Sequence, residues 1–262
     1  MKELVPEVVP AAGEEKVLPF WDHVSELRDR LIRAALALFL GTSVTYLLRF
    51  RLWDYATRPL FAALAARPGG ARSPFAYTDL AEPFMSFVRL SFWAAVFLVS
   101  PYLFYQVWAF VKPALRPQEK RLATRFVAVT SLCFLLGAAF AYRFMFGTLS
   151  NLLMDEAAKA GLRANLRPNE YLDLFLYTVV GAGVAFEAPV LFYFLARFRL
   201  VSSASMLRYW REATIVILFV AGFLTPGDVV ATMIVFGAVL LALYYVSALV
   251  VWLTERAQAG EA

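Results

Sequence analysis

The sequence predicts an all-α protein that crosses a membrane several times, and three observations support this. Hydrophobic residues make up 61% of the 262 residues and charged residues only 17%, whereas soluble domains are about 45–50% apolar and about 25% charged. The mean hydropathy is +0.64. Six apolar segments follow one another with polar loops between them. We therefore expect a single membrane domain over 18–254, flanked by polar tails at 1–17 and 255–262.

The six predicted spans lie at 31–48, 84–108, 122–146, 171–197, 212–224 and 229–253. Five of them provide roughly the 20 apolar residues that a spanning helix needs. The fifth has only 13 residues, which a helix extends to about 20 Å. The fifth segment either crosses a locally thinned membrane or forms a re-entrant hairpin with the sixth.

The distribution of basic residues predicts that both ends of the chain face the cytoplasm. The two ends and the loops at 112–125 and 197–211 hold 15 of the 25 Lys and Arg residues, against nine in the loops at 49–83 and 143–170. In multispanning proteins the cytoplasmic loops carry this excess. The N-terminal residues do not match a cleaved signal peptide. The expected location is therefore the cell membrane, with a retained first span.

The outside loops are expected to form short amphipathic helices along the membrane surface. In the first loop, apolar side chains recur on one side of a helix that is expected to break near Pro59; they are Leu52, Tyr55, Leu60 and Leu64. The second loop, 147–170, is polar and is expected to form another surface cap.

The stretch PFWDHVSELRDRLIR, residues 19–33, predicts an amphipathic helix that leads into the first span. One face carries Phe20, Val24, Leu27 and Leu31. Another face carries Asp22, Glu26, Asp29 and Arg33. Glu26 stands four residues before Arg30, which is the favourable order for a helical ion pair. Spacing alone favours a solvated face whose arginines fix the topology.

Three acidic residues elsewhere are candidates for a function. Glu119 lies in a basic loop that Pro113 is expected to make rigid, and spacing alone favours an acid that its neighbours neutralise. Glu187, in FEAP, lies inside the fourth span, where a charge is costly unless it is paired, hydrated or protonated. A functional site and a protonated acid bonded across the bundle both remain open. Asp228, in TPGD, is expected to cap the sixth span.

Several classes of function are excluded by what the sequence lacks. The chain has one cysteine, Cys133, and one histidine, His23, too few for an internal disulfide, a thiol metal cluster or a histidine metal site. It has no phosphate-binding G-x-x-x-x-G-K-[ST] loop. We expect neither catalysis nor a bound metal or cofactor. The net charge of +5 fits basic loops beside anionic lipid better than nucleic acid.

Together, the motifs HVSELRDRL, YQVWAFVKPAL, FEAP and LTPGD occur in the order and topology of the TatC family, which the sequence resembles over about residues 18–250. That family comprises the multispanning signal receptors of the twin-arginine protein translocase. The resemblance implies six transmembrane helices in a curved, cupped bundle with both termini in the cytoplasm. It also implies binding of paired-arginine signal peptides on folded cargo, export driven by the proton-motive force, single-span TatA-type and TatB-type partners, and a homo-oligomeric receptor complex.

The resemblance further assigns roles to particular residues. Those implied in signal-peptide binding are Glu26, Arg28, Phe110, Pro113 and Glu119. Glu187 matches the membrane-embedded glutamate, Asp228 the aspartate of the turn before the sixth span, and Pro59 the proline of the first outside loop. The chain departs from some members at Gly227, where they carry proline, and at Thr232, where they carry glutamine on the face that docks the partner.

Two other functions remain open from the residues alone. A secondary transporter of a small solute would use Glu187 as a proton or ion site, although the inverted repeat common in such folds is not detectable. A membrane-embedded scaffold without a substrate of its own also fits. Solute flux through the purified chain would favour the transporter.

Overall fold

The computed structural model describes residues 20–65, 75–111, 123–162, 165–224 and 230–260. Within these ranges the chain is helical apart from its loops and one isolated bridge between Phe75 and Leu166, so the predicted all-α class is confirmed. The helices are α1 (Phe20–Leu47), α2 (Arg49–Ala65), α3 (Glu82–Val111), α4 (Ala123–Phe140), α5 (Phe146–Lys159), α6 (Pro168–Ala185), α7 (Ala188–Arg197), α8 (Ser203–Arg208), α9 (Trp210–Leu224) and α10 (Val230–Gly260). A π-helical turn, Ala141–Met145, joins α4 to α5. The predicted tail at 1–17 lies outside the described residues, whereas α10 continues into the predicted tail at 255–262.

Within the described ranges, five helical stretches are long and apolar enough to cross a membrane; they are His23–Leu47, Glu82–Phe110, Phe126–Lys159, Pro168–Arg197 and Met233–Gln258. They overlap the first four predicted spans and the sixth, but the third stretch continues through α5 into 147–159, which was predicted to belong to an outside loop. The fifth predicted span is α9, which has 15 residues and extends about 22 Å, less than the roughly 30 Å of a bilayer core. The count of six spans therefore depends on α9 and stays a prediction.

The helix α2 runs without interruption through Pro59, so the predicted break is wrong. Proline has no backbone N–H, which leaves the carbonyl four residues earlier, that of Tyr55, without its helical donor. The Tyr142 hydroxyl donates to this carbonyl at 2.9 Å, and the Tyr142 and Tyr55 rings stack with their centroids 4.4 Å apart. A side-chain donor from the π-helical turn thus replaces the missing N–H.

One face of α2 is buried inside the protein rather than resting on lipid. Its buried residues are Ala56, Thr57, Leu60, Ala63 and Leu64. This face packs against α3 and α5, and the Tyr171 hydroxyl of α6 donates to the Ala56 carbonyl at 2.7 Å. Tyr55 was expected on the apolar face but is 51% exposed. The same core contains Phe146 and Leu172, both fully buried, so α2 forms a packed cap.

The helices α4 and α6 approach closely at two glycines. A Cβ atom added at Gly137 would lie 2.6 Å from the Ala182 carbonyl oxygen and 2.8 Å from the Phe186 Cβ. One added at Gly183 would lie 2.8 Å from the Phe134 ring. Small residues allow such close packing between membrane helices. The contact fixes the end of α6, where the chain turns at Glu187.

The helix α1 packs against α3 and leaves its other faces exposed. At this contact the Thr45 hydroxyl donates to the Ser91 carbonyl at 2.7 Å, and Gly41 faces Ala95. Elsewhere in the fold, α10 packs against α7, α8 and α9. Only 11% of the apolar span within α1 is buried, so α1 offers most of its surface to lipid or to another chain.

Candidate functional site

The start of α1 carries the first candidate site and has the predicted helical form. Its expected apolar face is not covered by the described part of the chain: Val24, Leu27 and Leu31 are all exposed. Glu26 lies on a different face and is half-buried. An acidic group therefore lies beside unpacked apolar surface at one end of the first span.

Glu26 is already engaged within its own helix. Its Oε1 accepts hydrogen bonds from Nε of Arg30, at 3.1 Å, and from Nη2 of the same guanidinium. The side chains are 27% exposed for Glu26 and 20% for Arg30. Its other oxygen, Oε2, lies 3.8 Å from Nδ1 of His23, which is beyond hydrogen-bonding distance. The ion pair predicted from the four-residue spacing is confirmed.

Phe110 joins the start of α1 to the end of α3. Its ring stacks on that of His23, with the centroids 4.4 Å apart and the planes 17° from parallel. His23 lies one turn from Glu26, and Phe110 is the penultimate residue of α3. The structure therefore brings Glu26 and Phe110, two of the predicted binding residues, to the same end of the α1–α3 pair. Pro113 and Glu119 lie outside the described residues.

Arg28 is not brought together with Glu26. Two residues along a helix correspond to about 200° of rotation, so the two side chains leave α1 on nearly opposite sides. The Arg28 guanidinium donates instead to Oδ1 of Asp29 at 3.3 Å, and its side chain is 70% exposed. The role that the resemblance implies for Arg28 is therefore separate from the Glu26 cluster in this structure.

Glu187 occupies the break between α6 and α7, the second candidate site. Phe186 and Glu187 form a turn, and Pro189 lies in the first turn of α7. The Glu187 carboxylate faces Cys133 and the backbone of Phe134 in α4. Its Oε1 is buried and has no hydrogen-bond partner among the described residues. Within a membrane span, such an oxygen requires a proton, a water molecule or a donor from outside the described residues.

The remaining predicted residues are only partly described. Pro59 lies within α2, where Tyr142 compensates for its missing donor. Thr232 belongs to the first turn of α10, and Asp228 lies outside the described residues. Among the described ranges, no cluster of three His, Cys, Asp or Glu residues could hold a metal ion.

A polar network at the opposite end of α3 was not predicted. Glu82 has a side chain that is only 2% exposed, and its Oε2 lies 3.7 Å from Nη2 of Arg167. Arg167 also donates to the Thr78 hydroxyl at 2.8 Å. Two turns further along α3, Arg89 pairs with Asp173 of α6. A charge inside a span needs a partner. The presence of one basic and one acidic residue, Arg89 and Asp173, within two predicted spans was therefore the signal from which this pairing could have been predicted.

Comparisons with known proteins agree with one another. The family model for TatC, the Sec-independent protein translocase protein, matches residues 22–237. Among curated relatives, the Sec-independent protein translocase protein TatC of Koribacter versatilis is 33% identical over 88% of this chain and 84% of its own. The protein of the same name from Campylobacter jejuni is 32% identical over 87% and 91%.

Solved structures show the same fold. The crystal structure of the twin-arginine translocase receptor TatC superposes with a TM-score of 0.76 at 24% identity, covering 89% of this chain and 99% of that one. A second crystal structure of that receptor gives a TM-score of 0.75, also at 24% identity, over 87% of this chain and 98% of the other.

Proposed function

The chain belongs to the TatC family, a multi-pass membrane component of Sec-independent protein translocation, and from this we propose that it binds paired-arginine signal peptides of folded cargo. Binding takes place at the cytoplasmic face and begins export that the proton-motive force drives. The role is one of transport and not of catalysis. The observation that carries the proposal is the placement of Glu26 beside the end of α3.

Two adjacent guanidinium groups require two carboxylates, because a planar guanidinium binds a carboxylate through paired hydrogen bonds. Glu26 provides one of them. The stacked pair of His23 and Phe110 holds the end of α3 against the start of α1. The last residue of α3, Val111, belongs to the same end of the α1–α3 pair as Glu26, and the loop that carries Glu119 follows it in the sequence. We assign Glu119 as the second carboxylate and Pro113 as a residue that stiffens the loop.

The exposed apolar face of α1 suits the apolar part of a signal peptide. Val24, Leu27 and Leu31 are 42%, 48% and 67% exposed, and they lie on the helix that carries Glu26. A segment whose arginines contact Glu26 can therefore continue along apolar surface into the membrane. Arg28, which points away from Glu26, is placed to contact another part of the signal or of the cargo.

The further assignments complete the proposal. The protein crosses the cell membrane six times, with α9 in a thinned part of the bilayer, and both termini lie in the cytoplasm. Glu187 serves export. The start of α10, with Asp228 and Thr232, serves the docking of single-span TatA-type and TatB-type subunits. Several copies of the chain form the receptor complex. The solute-transporter alternative predicts flux through the chain alone, and we expect none.

The test is photocrosslinking to a precursor whose signal carries Arg-Arg or Lys-Lys. A photoreactive residue at Gln118, next to Glu119, leaves both carboxylates in place. We expect crosslinks to the Arg-Arg precursor, few to the Lys-Lys precursor, and their loss in Glu26→Gln and in Glu119→Gln. Glu212→Gln, another acid on the same predicted side, is the matched control. Unchanged crosslinking in both variants, with normal amounts in the membrane, would overturn the proposal.

A further inference from the structure

An arginine surface lies where α2 meets the π-helical turn, and it contains none of the residues of the proposed function. It consists of Arg51 and Arg58 of α2 and Arg143 of the turn, all of which are exposed. We propose that this arginine surface binds the phosphate group of an anionic phospholipid, that is, one whose headgroup carries no ammonium group.

The positive charge of the arginine surface is not neutralised within the described part of the chain. No carboxylate oxygen of the described residues lies within 4.0 Å of its three guanidinium groups, whereas Arg89, Lys159 and Arg167 each have a carboxylate partner. Asp54 is also exposed on α2, but it does not pair with the arginines of that helix. The arginine surface therefore offers an excess of positive charge to a ligand.

The three arginines lie around one pair of stacked tyrosines. Arg58 follows Arg51 by seven residues, which is nearly two full turns, so both leave α2 on the same side, about 10 Å apart along its axis. Tyr55 lies between them, and its ring stacks on that of Tyr142 with the centroids 4.4 Å apart. Arg143 follows Tyr142 directly in the turn. The arginine surface is therefore shared by two elements that the fold holds together.

The arginine surface lies near one boundary of the membrane. The first apolar stretch ends at Leu47, four residues before Arg51. The third begins at Phe126, sixteen residues before Tyr142, which corresponds to about 24 Å along a helix, and the apolar core of a bilayer is about 30 Å thick. Lipid phosphate groups occupy this level, and arginine side chains extend towards it.

Aromatic rings hold two of the arginine side chains ready for a phosphate. The Cζ atom of Arg58 lies 5.7 Å from the centroid of the Tyr55 ring, and that of Arg143 lies 5.6 Å from the centroid of the Phe144 ring. Such contacts restrict the side chain while N–H groups at the edge of the guanidinium stay available, and a guanidinium binds two phosphate oxygens through parallel hydrogen bonds. A headgroup with an ammonium group would add a positive charge among the arginines. The arginine surface should therefore prefer phosphatidylglycerol to phosphatidylcholine.

The experiment compares two photoreactive lipids on the full-length chain in nanodiscs of phosphatidylcholine. One is a phosphatidylglycerol and the other a phosphatidylcholine, each at a low mole fraction and with a diazirine at the same position near the headgroup. Mass spectrometry maps the crosslinks, and the yield at α2 and the π-helical turn is compared between the two lipids. We expect at least about tenfold more crosslinking of phosphatidylglycerol there, since each arginine near a lipid surface contributes about fivefold.

Substitutions at the arginine surface should change this ratio in both directions. Arg58→Gln should lower it by about fivefold, and adding Arg51→Gln should bring the two yields close together. Arg58→Lys keeps the charge but loses the planar fork, so its ratio should be intermediate. Asp54→Asn removes the acid of the same helix face and should raise the ratio.

Lys159→Gln is the control for a general effect of charge. It removes one positive charge, but Lys159 is already paired with Glu156 at 3.0 Å, so the ratio of the two yields should stay that of the unchanged chain. A fall as large as that in Arg58→Gln would mean that net charge, and not the arginine surface, selects the lipid.

Two further outcomes would overturn the proposal. Equal crosslinking of the two lipids on the unchanged chain would show that the surface does not select an anionic headgroup, and this comparison needs no variant to fold. Competition by soluble glycerol phosphate as effective as that by unlabelled phosphatidylglycerol would show that the ligand is a free phosphate and not a lipid.

Discussion

Glu187 lies within a predicted span, and its carboxylate oxygen Oε1 is buried without a partner among the described residues. Glutamine preserves its size and hydrogen-bonding capacity but cannot ionise. We expect Glu187→Gln to reduce export of a folded reporter by about tenfold or more, a loss of about 1.4 kcal/mol or more. Signal crosslinking at Gln118 should remain, because Glu187 lies on the α6–α7 turn and not at the start of α1.

The control for this prediction is Glu170→Gln, which alters an acid that is 66% exposed on α6. It should leave both export and crosslinking unchanged. Loss of crosslinking in Glu187→Gln would show that Glu187 belongs to the binding step and that its assignment to export is wrong.

Local spacing was sufficient for some contacts and not for others. The Glu26–Arg30 pair follows from a four-residue separation on one helix, so the sequence predicted it. Arg89 and Asp173 are 84 residues apart, and their pairing depends on which helices become neighbours. For the same reason, the hydrogen bond from the Tyr142 hydroxyl to the Tyr55 carbonyl was not predicted. No periodicity in the sequence connects two residues on separate helices.

At the level of the elements, α2 owes its continuity to a donor from outside the helix. Tyr142→Phe removes the hydroxyl that donates to the Tyr55 carbonyl and keeps the stacked ring, so we expect a loss of about 1–2 kcal/mol in the free energy of unfolding. Pro59→Ala restores a backbone N–H for that carbonyl. In the Pro59→Ala background, Tyr142→Phe should therefore be less destabilising.

Denaturant unfolding in mixed micelles measures all four members of this double-mutant cycle. A coupling energy of zero would show that the Tyr142 hydroxyl and Pro59 act independently. Tyr46→Phe, a tyrosine of α1 that stacks edge-on with Phe84, is a control for the loss of a hydroxyl at a membrane position.

The α4–α6 contact depends on the absence of a side chain at Gly137. In Gly137→Ala the new Cβ would meet a backbone carbonyl at 2.6 Å, which cannot rotate away as a flexible side chain would. We expect a loss of about 1–3 kcal/mol in stability from the overpacking, together with weaker export because the contact fixes the turn at Glu187.

Gly147 provides the matched control. It lies on α5, and a Cβ added there meets nothing within 4 Å. Gly147→Ala should be neutral or stabilising by up to about 1 kcal/mol, as expected for replacing glycine within a helix. Equal destabilisation by both substitutions would mean that close packing is not the cause. Thermal unfolding in the same detergent allows the direct comparison.

For the whole molecule, apolar segment length located the spans, because a bilayer imposes one length scale on every crossing. Segment length could not decide whether the fifth segment crosses the membrane, because that segment is shorter than the bilayer core. The structure supplies a further constraint at the far end of α10. Glu255 accepts a hydrogen bond from the Ser203 backbone at 3.0 Å and another from the Ser203 hydroxyl. The end of α10 and the start of α8 therefore lie together on one side.

This constraint favours a crossing α9 over a re-entrant hairpin. If α10 crosses the membrane and ends beside α8, its start lies on the other side, and α9 must connect the two. Cysteine labelling tests this, because Cys133 is the sole native cysteine and can be replaced by alanine. Single cysteines would then be placed at Thr78, Ala204 and Gly227.

We expect a membrane-impermeant maleimide to label Thr78→Cys and Gly227→Cys on intact cells, and Ala204→Cys only after permeabilisation. A re-entrant α9 would give Gly227→Cys the same behaviour as Ala204→Cys. A reversed orientation would label Ala204→Cys on intact cells and protect Thr78→Cys. A helix of about 22 Å matches a thinned bilayer best. Labelling of Gly227→Cys should therefore also be most complete in membranes whose lipids have short acyl chains. Labelling that does not depend on the length of the acyl chains would contradict a thinned bilayer at α9.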